Sequence, residues 1–233
     1  MNSILLTMKI QPVTIQIGEI AYQIRCLNES DYKAFSTIIK EVFSLPPWDE
    51  KLTDEEVLEE FKHCTGNGFI LGAFSKTGEL MGIAEFIHEF LDEHAAYIPL
   101  PSCSTDSTWY IHGLATLPKY RSNNENGNQL HVCTNLVQQG LLFCKDLAPK
   151  HSDYCYFRIS ENGSMSKGLG ERQGFVIVRK EGEISEQIID PNLADPYRNF
   201  MIKDLRVPIE LADYGFMEES SKKYFKKFDL QEK

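Results

Sequence analysis

The sequence predicts an α/β fold in which one central mixed β-sheet is flanked by helices. Two observations predict it: paired apolar strand segments that read as hairpins occupy the first half of the chain, and a strand–helix–strand unit follows at about 108–160. Hairpins require antiparallel pairing, whereas a β-α-β unit requires parallel pairing, so the sheet must be mixed. Composition does not change sharply before about residue 207, which predicts one domain over 1–206 and a charged, helical C-terminal appendage over 207–233.

The composition is that of a globular protein that does not span a membrane. Of the 233 residues, 42% are hydrophobic and 25% are charged, which is enough apolar material for a sizeable core. No apolar run approaches the roughly 18 residues of a membrane helix, and residues 1–12 lack the features of a signal peptide, so we expect a cytoplasmic protein. The net charge of −10 repels phosphates and anionic lipids, so we expect neither nucleic acid nor membrane as a partner. The same charge is compatible with a cationic substrate.

The first half of the chain carries strong local signals. Alternating residues in 13–27 around a glycine-containing turn predict a hairpin. The capping residues 28–31 precede apolar residues at helical spacing up to Val42, which predicts a first helix. A second helix is predicted over 52–63, where Thr53 and Glu56 have the spacing of a capping box, with Gly66 as its stop.

The second half continues the alternation of strands and helices. Residues 69–90 predict two strands around a Lys-Thr-Gly turn, and the proline-containing stretch 91–107 predicts a long loop that lines a binding site. A strand over 108–117 is stopped by Pro118 and leads through a polar loop to a helix. The remaining strands are predicted over 153–160, 175–180 and 199–207. A short helix that ends at Gly174 is predicted between the first and the second of these strands.

The cysteines and histidines do not form a metal-binding pattern in the sequence. The six cysteines are scattered without a CxxC pair, so we expect free thiols rather than a disulfide framework. His63-Cys64 and His131-x-Cys133 are isolated fragments of a zinc motif, and we therefore expect no metal.

The loop after the 108–117 strand is a candidate anion site. It leads into a helix N-terminus, whose unpaired N–H groups and positive dipole end suit a phosphate. Arg121 adds a fork-shaped charged donor, and Gly127 permits close approach of the backbone to a ligand.

The segment Leu114-Ala-Thr-Leu-Pro-Lys-Tyr-Arg121 resembles the strand and Pro-x-Tyr-Arg turn of the GNAT superfamily of acetyl-CoA-dependent N-acetyltransferases. Other pieces, from the helix at Thr53 to the last strand near 195–205, follow in the order of that family. The resemblance implies the GNAT acyltransferase fold, acetyl-CoA as co-substrate without a metal, and direct transfer to an amine of a small molecule or peptide. It also implies that acetyl-CoA is held by these residues: Leu114, Ala115, Thr116, Arg121, Asn126, Gly127, Asn128 and Asn162.

Two residues are candidates for the base that deprotonates the amine. His112 lies two residues before Leu114 on the predicted strand, and an imidazole can exchange protons at neutral pH. Glu85 ends a predicted strand, where the family often places a carboxylate. The alternatives are that His112 is a core histidine bonded to a carbonyl, that Glu85 is a solvated strand residue, and that Asn162 caps a turn.

The sequence departs from the family pattern in two places. The turn after Arg121 is about two residues longer and has one glycine, and Gly170 occupies the position of the tyrosine that protonates the leaving thiolate in many members. These departures leave a second function open, a non-catalytic GNAT-like module that binds an acyl-CoA or a protein. The predicted assembly is a monomer or a homodimer.

Overall fold

The structure, a computed structural model, describes residues 11–17, 20–46, 48–88, 108–121, 130–147, 154–160, 169–170, 173–177, 188–189 and 197–205. The described strands are β1 (Val13–Ile17), β2 (Ile20–Cys26), β3 (Gly68–Ser75), β4 (Leu80–Ile87), β5 (Thr108–Thr116), β6 (Tyr154–Ser160), β7 (Val176–Ile177), β8 (Ile188–Ile189) and β9 (Tyr197–Asp204). The described α-helices are α1 (Tyr32–Phe43), α2 (Asp54–Asn67) and α3 (Val132–Leu147).

The described strands form one mixed sheet in the order β1-β2-β3-β4-β5-β6-β9-β7, and β8 also pairs with β9. Among these pairs β5 and β6 run parallel, and the others run antiparallel. The parallel pair arises because α3 connects β5 to β6 as a crossover. The predicted mixed sheet is therefore confirmed.

Each face of the sheet is covered by helix. On one face α1 and α2 pack through Phe35, Ile39, Val57 and Phe61 against strand residues that include Ile70, Ile83 and Tyr110. On the other face α3 packs through Leu136, Val137 and Leu141 against strand residues that include Phe86, Trp109 and Phe157. These side chains are buried, and each contributes about 1.5–3 kcal/mol relative to remaining in water. The two apolar layers fix the sheet rigidly between the helices.

The start of α2 confirms the predicted capping box. The Thr53 N–H donates to Glu56 Oε2 at 2.7 Å, and the Glu56 N–H donates to Thr53 Oγ1 at 3.2 Å. The predicted stop at Gly66 is wrong, because the helix continues to Asn67 and β3 begins at once with Gly68. A Cβ at Gly68 would lie 1.9 Å from the Phe86 carbonyl oxygen, so close backbone approach sets the boundary there.

The other predicted elements fit with shifted bounds. The predicted strand over 199–207 is observed as β9 (Tyr197–Asp204), and the one over 175–180 as β7 (Val176–Ile177), with 178–180 outside the described residues. The short strand β8 had no signal in the sequence. The predicted loop 91–107 and appendage 207–233 lie outside the described residues, as does most of the predicted short helix. No helix among the described residues is long and apolar enough to cross a bilayer.

Candidate active site

The parallel strands β5 and β6 separate within the sheet. Their described pairing runs from Thr108↔Tyr154 to Ile111↔Phe157, and β5 continues to Thr116 without a described partner on that side. Leu117 donates its N–H to the Met81 carbonyl on β4, so strand alternation directs the backbone groups of Leu114 and Thr116 away from β4. Two of the residues predicted to hold acetyl-CoA therefore present backbone groups to this opening.

A β-bulge lies where the strands begin to separate. Glu85 pairs with Gly113 and Phe86 pairs with Ile111, so His112 is the extra residue of β5 in the pairing with β4. A bulge turns two consecutive residues towards one face of the sheet. It places His112 and Gly113 together on the face that carries α2, beside Glu85.

Gly113 makes room for the Glu85 carboxyl group. A Cβ built at Gly113 would lie 1.9 Å from Glu85 Oε2, closer than any non-bonded contact allows. The Glu85 side chain is only 2% exposed, so it has no solvent-filled space into which to move. The absence of a side chain at position 113 is therefore a condition for the carboxyl to lie where it does.

His112 forms a hydrogen bond with a residue that was not among the predicted site residues. Its Nε2 lies 2.8 Å from Glu60 Oε1 on α2, and the two side chains are 26% and 32% exposed. A carboxylate acceptor at Nε2 selects the tautomer with the proton on that nitrogen, which leaves a lone pair on Nδ1. Within the described part of the chain, Nδ1 has no hydrogen-bond partner. The geometry thus engages one imidazole nitrogen and leaves the other buried, with its lone pair unpaired among the described residues.

Glu60 and Glu85 form a carboxyl pair whose pKa values are shifted in opposite directions. Burial raises the pKa of Glu85 well above its ordinary value, and the charge of Glu60 and the hydrogen bond to it act in the same direction. Burial also acts upward on the pKa of Glu60, but hydrogen bonds from His112 and Cys64 and the nearby imidazoles bring it below its ordinary value. Glu85 is therefore the protonated partner, and Glu60 is the carboxylate.

Cys64 and His63 complete the surroundings of Glu60. The thiol of Cys64, one helical turn after Glu60, donates to Glu60 Oε1 at 3.7 Å. The ring centroids of His63 and His112 lie 5.9 Å apart. The chain thus concentrates two carboxyls, two imidazoles and a thiol beside the β-bulge.

The turn after β5 is held by the preceding hairpin. Glu79 accepts from Lys119 Nζ and from the Tyr120 hydroxyl, each at 2.5 Å, and so ties the Pro118–Tyr120 turn to the β3–β4 connection. Arg121 is exposed and donates from Nε to the Thr116 carbonyl at 3.0 Å. Its guanidinium consequently lies at the end of the open strand, with its position along the strand fixed through Nε.

A buried network fixes the start of α3. The Tyr22 hydroxyl of β2 donates to the Leu130 carbonyl at 2.9 Å, and Asn135 Nδ2 donates to the same hydroxyl at 2.6 Å. These buried hydrogen bonds resist displacement, because breaking them leaves the Tyr22 hydroxyl and the Asn135 amide without these partners. The N-terminus of α3 is thereby anchored to the sheet next to the open part of β5.

The predicted site residues fall into two groups. His112, Glu85, Leu114, Ala115, Thr116 and Arg121 are described, and the first two lie side by side, with the others following along β5 and its turn. Asn126, Gly127, Asn128 and Asn162 lie outside the described residues.

Glu60 could have been found from the sequence. It lies three residues after Val57 and four before Cys64, so it falls on the stripe that α2 turns towards the sheet. A carboxylate on a buried helical stripe needs a partner, and this signal marks it as a functional or ion-pairing residue. The β-bulge that brings His112 to it has no comparable signal.

Replacing Gly113 with alanine is expected to destabilise the protein by about 1–3 kcal/mol, because the new methyl group collides with the buried Glu85 carboxyl. Gly66→Ala is the matched control, since a Cβ there meets nothing within 4 Å and should stabilise α2 by up to about 1 kcal/mol. Urea denaturation measures both. The double variant Gly113→Ala/Glu85→Ala should lose less than the sum of the single losses; additive losses would contradict the collision.

Comparisons with known proteins identify the fold. No protein-family model matches the chain, and no curated protein matches it. Among solved structures, a GNAT-family acetyltransferase from Staphylococcus aureus is similar with a TM-score of 0.53 at 12% identity, covering 79% of this chain and 99% of its own. The Salmonella typhimurium protein yncA, solved with its cofactor acetyl-CoA, is similar with a TM-score of 0.55 at 14% identity, covering 79% and 94%. A ribosomal-protein-alanine N-acetyltransferase from Brucella melitensis is similar with a TM-score of 0.50 at 14% identity, covering 78% and 98%. The chain has the GNAT acetyltransferase fold.

Proposed function

We propose that this chain is an N-acetyltransferase that moves the acetyl group of acetyl-CoA to an amine of a small molecule or peptide within a ternary complex. The observation that carries the proposal is the His112–Glu60 pair at the place where β5 separates from β6, immediately before the open backbone of Leu114 and Thr116. The likeness of the fold to proteins that include one solved with acetyl-CoA supports the choice of co-substrate.

The open strand is suited to hold a thioester. Backbone N–H groups that point into the opening near Leu114 and Thr116 can donate to the thioester carbonyl and stabilise the oxyanion of the tetrahedral intermediate. Arg121 at the end of the strand and the anchored start of α3 provide positive charge and N–H groups for the phosphates of the coenzyme. Holding amine and thioester together supplies much of the rate acceleration.

His112 acts as the base in this proposal. Glu60 holds the proton on Nε2, so the lone pair of the buried Nδ1 takes the proton of the amine once amine binding has opened access to it, as the nitrogen attacks the acetyl carbon. The C–N bond forms, the C–S bond breaks, and the thiolate of coenzyme A takes up a proton from imidazolium or solvent. Glu85, the other candidate base, is protonated and buried, so we assign it the role of holding Glu60 in place.

The first experiment is calorimetry of the full chain with acetyl-CoA and with dephospho-CoA. Micromolar binding that weakens when the 3′-phosphate is absent supports the coenzyme site. A panel of primary amines, beginning with cationic ones because of the net charge of −10, is then screened for thiol release. Absence of binding at millimolar acetyl-CoA would overturn the proposal.

Arg121→Glu is expected to raise the dissociation constant of acetyl-CoA by about 10- to 100-fold, because a charge-assisted contact with phosphate is replaced by repulsion. Lys33→Glu on α1 is the matched control, since it makes the same change in net charge at an exposed residue of another helix. Equal affinities of the two variants for acetyl-CoA would show that Arg121 does not contact the coenzyme.

One observation favours the second candidate, a non-catalytic acyl-CoA-binding or protein-interaction module. A Cβ at Gly170 would lie 2.6 Å from Phe157 and 2.8 Å from Met201, so this position cannot carry an acid-bearing side chain without repacking. A turnover assay distinguishes the two candidate functions. A module binds acetyl-CoA but releases no thiol with any amine, whereas an enzyme releases thiol in an amine-dependent way.

A further inference from the structure

Three donor atoms of different chemistry converge beside the bulge. One carboxylate oxygen of Glu60, the sulfur of Cys64 and a ring nitrogen of His112 all lie within 4.8 Å of one another. Glu60 and Cys64 are one turn apart on α2, and His112 reaches them from β5. Two rigid elements that pack on each other therefore hold the three donors.

The spacing is close to that of a tetrahedral zinc site. Zinc binds nitrogen and oxygen at roughly 2.0–2.2 Å and sulfur at about 2.3 Å, so its ligand atoms lie on the order of 3.3–3.8 Å apart. The Cys64 Sγ to Glu60 Oε1 distance is 3.7 Å, and the His112 Nε2 to Glu60 Oε1 distance is 2.8 Å. The Glu60–Cys64 distance already fits, the imidazole lies about half an ångström too close to Glu60, and the Cys64 and His112 donor atoms lie within 4.8 Å of each other. Glu60 and His112 are partly exposed, which leaves a path for an ion to enter.

A second, independent observation concerns Glu85, whose side chain contacts Glu60. Glu85 is 2% exposed, its carboxyl is hydrogen-bonded to Glu60, and Oε1 is buried without a partner among the described residues. Two carboxyls in contact in a buried place require either a shared proton or a cation. A metal ion at Glu60 would meet this requirement, with Glu85 as the hydrogen-bonded neighbour of the ligand Glu60.

We propose that Glu60, Cys64 and His112 form a binding site for Zn²⁺, with Glu85 packed against the ligand Glu60. The mixture of thiolate, imidazole and carboxylate is the donor set that zinc accepts, whereas magnesium and calcium require oxygen ligands throughout. On binding, Cys64 releases its proton to solvent, and the Nε2 proton of His112 gives way to the metal while Nδ1 carries the ring proton.

Bound zinc has a consequence for the reaction, which rests on the proposed function. With the metal on Nε2 and the proton on Nδ1, His112 has no lone pair with which to accept a proton from the amine. Zinc would therefore inhibit acetyl transfer. The metal binding itself does not depend on that reaction.

The test uses the full chain freed of metal with a chelator and then titrated with Zn²⁺ by calorimetry, and with Co²⁺ by absorption spectroscopy. We expect one ion per chain and a thiolate-to-cobalt charge-transfer band. Cys64→Ser should abolish the band and weaken Zn²⁺ binding by about 100-fold, and His112→Asn should weaken it similarly. Circular dichroism establishes that each variant is folded.

The controls are Cys26→Ser and Glu59→Gln. Cys26 lies on β2 and is not one of the three clustered donors; Glu59 precedes Glu60 but is exposed. Both variants should bind Zn²⁺ like the wild type. Co²⁺ binding without a thiolate band, or equal Zn²⁺ affinity in Cys64→Ser and Cys26→Ser, would overturn the metal site. Acetyl transfer that fails while Zn²⁺ still binds would instead count against the proposed function alone.

Discussion

His112→Ala is expected to lower kcat for acetyl transfer by about 10²–10⁴-fold, because it removes the base that takes the proton of the attacking amine. The dissociation constant of acetyl-CoA should change little, since the coenzyme contacts proposed here lie along Leu114–Thr116 and at Arg121. Steady-state kinetics with saturating amine, together with calorimetry of acetyl-CoA, separates the two effects.

Two further variants make this expectation specific. His112→Asn retains a side chain that can donate to Glu60 but cannot act as a base, so its kcat should fall as far as that of the alanine variant. His88 follows β4, with its ring against Trp109 at a centroid distance of 5.0 Å, and His88→Ala should keep kcat within a few-fold. Normal turnover by His112→Asn would show that His112 is not the base.

Local signals account for most of the fold. The capping box at Thr53, the helical apolar stripes and the glycine turns each act within a few residues, so they can be read from sequence. The boundary of α2 could not, because it depends on the approach of Gly68 to the backbone of Phe86 on another strand. The two-residue strand β8 likewise exists through its pairing with β9 rather than through its own residues.

The candidate site likewise has residues that local sequence marks and contacts that only the folded chain creates. His112 and Glu85 were identified because each lies on a strand at a position that the family resemblance marks. The buried stripe of α2 marks their neighbour Glu60 as well, but the contact of Glu60 with His112 requires both the bulge in β5 and the packing of α2 on the sheet. The pKa values of the two carboxyls depend on the same packing, since Glu60 raises the pKa of Glu85 and His112 lowers the pKa of Glu60.

Glu60→Gln is expected to lower kcat by about 10²-fold while leaving the KM for acetyl-CoA within a few-fold of its wild-type value. Glu60 touches no reacting atom in the proposal and acts by holding the proton on His112 Nε2. Loss of a triad carboxylate that orients a catalytic histidine costs roughly 10⁴-fold in kcat. We expect a smaller loss here because Glu60 is partly exposed, and water can replace some of its hydrogen bonding.

A positioning role predicts a signature that simple destabilisation would not produce. Nitrogen chemical shifts of the His112 ring report which nitrogen carries the proton, and in Glu60→Gln the share of the Nε2–H tautomer should fall, because the amide oxygen of glutamine attracts that proton less strongly than a carboxylate does. Glu59→Gln removes the same charge from the exposed neighbouring residue and should change neither the tautomer nor kcat. If Glu60→Gln lost turnover with its tautomer unchanged, the carboxylate would be acting on the reaction by its charge rather than by orienting the imidazole.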